Sequence, residues 1–112
     1  MAQQLDTLAE LQNYARRVVD RAAHHAAAVE DILDRLLAQV ILHHDPGTVE
    51  CRTYGPQPSN VLRFSVRGHR VALAYNHQGQ VEIRDGGERG RVLAAFSNSD
   101  TRQRVAGEFE RL

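Results

Sequence analysis

In a chain of 112 residues, 14 basic and 14 acidic side chains balance at neutral pH, which removes any global electrostatic pull toward nucleic acid or an anionic membrane. That length is one domain, 1–112, large enough to build a core without staples, and a single cysteine, Cys51, excludes an internal disulfide and suits a reducing cytoplasm. No window approaches the roughly 18 apolar residues of a membrane span, and the start MAQQLDTLAELQ lacks the basic, then continuously apolar pattern of a signal peptide.

From Leu5 to Ile41 there is no Pro or Gly, and Leu8, Leu11, Ala15, Val18, Ala22, Val29, Ile32 and Leu36 recur at steps of three and four or their sums. The pattern predicts a long amphipathic helix. Asp6 or Thr7 caps its start with Glu10 in the first turn, and it ends near residue 43, ahead of Pro46-Gly47. Its 37 residues would span roughly 55 Å, far beyond a domain whose radius of gyration is near 13 Å. The helix must therefore overhang, break around Arg21–Ala28, or meet a partner. The stripe Leu8, Leu11, Ala15 and Val18 is accordingly the predicted interface of a homodimer or higher oligomer.

Past Pro46-Gly47, the run TVECRTY reads as an edge strand, closed by the two prolines of GPQPS. Residues 60–85 then alternate apolar with polar in three runs. Leu62, Phe64 and Val66, then Val71, Leu73 and Tyr75, then Val81 and Ile83 point to one face, because successive strand side chains leave opposite sides. Gly68-His69 and the Asn76–Gly79 stretch supply the turns. Leu62, Phe64, Val66, Leu73 and Ile83 are the predicted core face, with Arg63 on a face open to water. A Gly-rich turn over 85–90 leads to a final strand at Arg91–Phe96. Ser97, Asn98 and Ser99 offer N-cap oxygens to a C-terminal helix carrying Val105, Phe109 and Leu112 at i, i+4 and i+7. The fold class is α+β: a long N-terminal helix, an antiparallel meander of four to five strands, and a short C-terminal helix on the same face.

Six histidines raise a metal hypothesis, with His43, His44, Asp45 and Cys51 the tightest group. Adjacent histidines on a helix diverge by about 100°, and no chelating spacing is present, so no metal and no cofactor is expected. His43 and His44 are better placed to meet the negative end of the helix dipole. Cys51 beside a histidine would be a nucleophile, but a lone strand cysteine more often packs as a small hydrophobe. A site between helices and sheet would draw on Tyr75, Asn76, His77 and Cys51, for a small ligand or, in an alternative reading, for an enzyme. The wet face gathers Arg63, Arg67, Arg70 and Arg84, with Arg52 joining from the edge, as a surface for a partner or for nucleic acid. Phe64 and Tyr75 point away from that face, so stacking aromatics are missing and the weight falls against nucleic acid.

YARRVVDRAAHHA, then NVLRFSVRGHRVALAYNHQGQVEIRDG, then RVLAAFSNSDTRQRV resembles the integron gene cassette proteins, a family of small bacterial proteins, over nearly the whole chain. The resemblance rests on Asn60-Val61-Leu62, His69-Arg70, Ala74-Tyr75-Asn76-His77 and Phe96-Ser97-Asn98. It implies a mobile-element origin and a bacterial cytoplasmic setting, and it carries over no catalytic residue. The expectation is a non-enzymatic cytoplasmic domain that self-associates and binds a protein partner or small ligand.

Overall fold

The computed structural model describes residues 2–4, 7, 9–10, 12–14, 16–17, 30–54, 57–76 and 79–112. Its centre is one antiparallel sheet in which strands adjacent in sequence are adjacent in space: β1 (Ala2–Gln4), β2 (Glu50–Tyr54), β3 (Gln57–Val66), β4 (His69–Asn76), β5 (Gln80–Asp85) and β6 (Val92–Phe96). The meander of four to five strands is present as predicted, with a sixth strand, β1, added at the edge beside β2. β3 begins at Gln57 and carries Pro58 opposite Thr53, where the loop GPQPS was expected. The β2–β3 register also shifts between Cys51 and Thr53, the local irregularity that a Pro without an N–H tolerates. β1 has no sequence signature, since three residues are too few to alternate; it pairs Gln3 with Cys51 along the edge of β2.

The β3–β4 link is Arg67-Gly68, one residue earlier than Gly68-His69. Val66 pairs with His69, and both turn residues take positive φ, 50° and 79°. Those values belong to the mirror-image turns whose twist matches flanking strands, and Gly68 supplies one of them without steric cost. Asp45, just past the first helix, clamps this turn: its carboxylate accepts from the amides of Arg67 at 3.0 Å and Gly68 at 2.8 Å.

Helix α1 spans Glu30–His43 and helix α2 spans Arg102–Glu110. Both lie on the apolar face. Ile32, Leu33, Leu36, Leu37 and Val40 of α1 join Cys51, Leu62, Phe64, Val66, Val71, Leu73, Val81, Ile83 and Phe96 in one buried cluster, with Val105 and Phe109 of α2. The rings of Phe64 and Phe109 stack at 6.0 Å and 5°. The predicted core face is therefore the observed one.

The single long helix is not what forms. α1 has 14 residues, and a straight helix of 37 would need roughly 55 Å in a molecule whose longest dimension is 33 Å. A helix on this sheet stays paired with apolar surface only for the sheet's own width. Residues 9, 10, 12–14, 16 and 17 are also helical, and Thr7 starts them as predicted: Thr7 Oγ1 accepts from the Glu10 amide at 3.1 Å and donates to the Glu10 carboxylate at 3.0 Å. The expected break at 21–28, and Leu8, Leu11, Ala15 and Val18, lie outside the described residues. Their neighbour Tyr14 is 5% exposed, inside the core cluster.

Caps differ from expectation too. Thr101 caps α2, accepting from the Arg104 amide at 3.1 Å. Asn98, predicted to cap that helix, instead accepts from the Ile32 amide of α1 at 2.9 Å. An amide oxygen satisfies whichever orphan N–H the fold brings near, and here that donor is 66 residues away in sequence.

Candidate functional site

The arginine face is a neutralised array. Arg70 bonds the Glu50 carboxylate at 2.7 Å and the Thr48 carbonyl at 2.6 Å, with Arg63 Nε 3.9 Å from the same Glu50. Arg84 binds Glu82 through Nε at 3.0 Å and Nη2 at 2.6 Å, and reaches the Gly90 carbonyl at 3.1 Å. Between Arg63 and Arg84, directly opposite both, sits Ala72, fully buried on what was expected to be a wet face. Arginines that turn their charged heads to carboxylates can cover such a residue with their aliphatic stems. Arg67 does not belong to the stripe. From its turn it donates to the Phe109 and Glu110 carbonyls, both at 2.8 Å, and caps the C-terminus of α2. The side chain of Arg52 is outside the described residues. Phosphate binding by Arg70 and Arg84 would first have to break bonds already made, while Arg63 Nε is buried with no hydrogen-bond partner among the described residues.

The four residues of the suspected metal group have separate employments. His43 lies 6.1 Å from the Phe109 ring; His44 Nδ1 sits 2.7 Å from the Val40 carbonyl, at the helix end as predicted; Asp45 holds the β3–β4 turn. Cys51 is fully buried, and burial pushes its thiol up, reinforced by Glu50 and opposed by Arg17. A thiol held protonated is a poor nucleophile. Among the described residues no three of His, Cys, Asp and Glu converge. Tyr75 is half-buried against the core on β4, two strands from Cys51; the side chain of Asn76 and all of His77 lie outside the described residues. The structure does not bring Cys51 to Tyr75.

A different place has the shape of a site. Asp34, Arg35, Ala38 and Gln39 face Arg102 and Val105 across a cleft of about 370 Å³ between α1 and α2. The α1 residues fall at i, i+1, i+4 and i+5, the flank beside the buried stripe, so the helix packs its apolar side on the sheet and turns this side to α2. Val105 forms the floor at 1% exposure, while Asp34, Ala38 and Arg102 stand on the rim. Arg35 is fixed: one terminal nitrogen donates to the Asn98 carbonyl at 3.3 Å and the Asp100 carbonyl at 3.0 Å, tying α1 to the loop before α2. Partial burial, and then the charge of Asp31, raise the Asp34 carboxyl above its ordinary range. The Gln39 side-chain oxygen is buried without a donor.

Sequence reading missed this cleft. Asp34 and Arg102 are 68 positions apart, and Asp34 by itself reads as a charge on a solvated helix face. Gln39 was the available signal, a polar residue between Leu36 and Val40 beside the apolar stripe.

The family model described as integron cassette protein VCH_CASS1 chain matches residues 11–104, a span that takes in α1, β2 to β6 and the first turn of α2. No curated protein matches the chain.

Proposed function

The chain belongs to the integron cassette protein family, and from that premise we propose that it is a binding module without chemistry of its own, taking a small ligand in the cleft between α1 and α2. One observation carries the reading: Gln39, whose side-chain oxygen is buried without a donor, lines a cleft whose rim bears charges of both signs. An unsatisfied buried acceptor costs free energy, about 1–3 kcal/mol, that a ligand donor would recover once the Gln39 side chain turns into the cleft. The catalytic alternative gains no support from Cys51, whose thiol is buried and raised. The nucleic-acid alternative gains none from arginines paired to Glu50 and Glu82.

The test is a fragment screen by thermal shift, with hits mapped by amide chemical shifts. Hits that move the amides of residues 34–39 and 102–105, and that Gln39→Leu abolishes while the protein still melts cooperatively, support the cleft. Hits that map elsewhere refute it. Self-association through Leu8, Leu11, Ala15 and Val18 belongs to the same proposal, supported by the apolar stripe of the sequence; light scattering giving only 12.6 kDa at micromolar concentration would exclude it. Among the described residues no helix is long and apolar enough to cross a membrane. The lone buried thiol supports placing the module in the cytoplasm.

A further inference from the structure

We propose that the cleft recognises a small zwitterion, a free apolar α-amino acid, with its ammonium between Asp34 and Gln39 and its carboxylate on Arg102 at the start of α2. This rests on the reading of the cleft as a ligand site and names the class of ligand. Asp34 and Arg102 line one cleft with opposite charges, yet among the described residues neither forms an ion pair. Two complementary charges that share a cavity without touching leave room for a dipolar molecule between them.

Each end has a second contribution. On the α1 side the Gln39 oxygen accepts hydrogen bonds only, it is buried with none to accept, and a turn of its side chain into the cleft brings it to a ligand. An ammonium, with three donors, suits it and a carboxylate does not. It would also relieve the pressure that burial and Asp31 put on the Asp34 carboxylate. On the α2 side, Arg102 opens a nine-residue helix with no acid in its first turn, so the positive end of the helix dipole adds to the guanidinium. Asp100, two residues before Arg102, is occupied by the Ser97 amide at 2.7 Å and by Arg104 at 2.9 Å. Arg35 has one nitrogen committed to two carbonyls and acts as a wall. The floor is Val105, with Ala38 on the rim above it, which matches an aliphatic side chain rather than another charge.

Three probes of matched shape separate the ends: L-leucine, 4-methylpentanoate, which lacks the amine, and 3-methylbutylamine, which lacks the carboxylate. In a titration at pH 7 read by amide chemical shifts, leucine should move residues 34–39 and 102–105 and bind about tenfold or more tightly than either analogue, the loss expected for one charge-assisted contact. Arg102→Ala should reduce leucine to the level of the amine, and Asp34→Asn to the level of the acid. Both residues are exposed, and cooperative melting at or above the parent's temperature would show that the variants fold. If either analogue binds at these amides as tightly as leucine, the zwitterion inference fails and the cleft reading stands. If none of the three moves them, the inference fails as well, and the fragment screen decides the cleft on its own.

Discussion

The two faces of the sheet bury side chains by different physics. On the helix side Phe64, Val66, Val71 and Phe96 are fully buried by apolar neighbours from α1 and α2. On the other side Ala72 is equally buried, but on a face of arginines, two of which, Arg70 and Arg84, have their heads held by Glu50 and Glu82. The first arrangement depends on volume, because a close-packed interior leaves a void when atoms are removed. The second depends on a half-exposed ionic roof, whose charges contribute little net energy but keep long side chains lying flat.

Substitutions on each face should separate these mechanisms. Phe64→Ala removes a ring stacked on Phe109 and should cost about 3 to 5 kcal/mol in urea denaturation; a loss under about 1 kcal/mol would mean that the helix side is not closed. Asp45→Ala, which frees two turn amides at the end shared by both faces, should cost about 2 to 3 kcal/mol, while Asp45→Asn should recover part of this. Ala72→Leu forces bulk under the roof and should cost about 1 to 3 kcal/mol; a neutral result would show that the arginines simply lift away. Arg63→Ala should cost about 1 kcal/mol, more than the 0.5 or less typical of an open surface, because Arg63 stands directly opposite the buried Ala72.

The smallest effect lies at the cleft and has the opposite sign. A carboxyl whose pKa is raised by folding destabilises the native state where it is ionised. The penalty is absent below the unfolded value, near 3.9, and grows as pH rises through the folded one. Asp34→Asn should therefore raise the melting temperature slightly at pH 7, and the gain should vanish toward pH 3. A variant less stable than the parent at pH 7 would contradict the origin assigned to the shift.

Much of the fold is local physics and was legible from the chain. Alternation with period two reports which side chains share a face before any partner strand is known, so Leu62, Phe64, Val66, Leu73 and Ile83 were placed correctly. Gly79 takes the positive φ expected at its turn, and Val105 and Phe109 turn inward at helical spacing. The errors arose where a local pattern had more than one global use. The stripe over 5–41 carries the period of a helix but no information on how much sheet there is to cover. Arg67 alternates with Arg63 in sequence, yet sits in a turn and caps α2.

What the sequence alone determined is therefore the set of interactions within a few residues of each other: periods, turns and the α+β class. The tertiary structure decided which distant groups meet. It set Asn98 on the first turn of α1, Arg67 on the end of α2, β1 along β2, and Asp34 across a cleft from Arg102. The physical reason is that a hydrogen-bond acceptor or a charge takes its partner from whatever packing brings within about 3 Å, and packing is settled by the whole apolar surface at once.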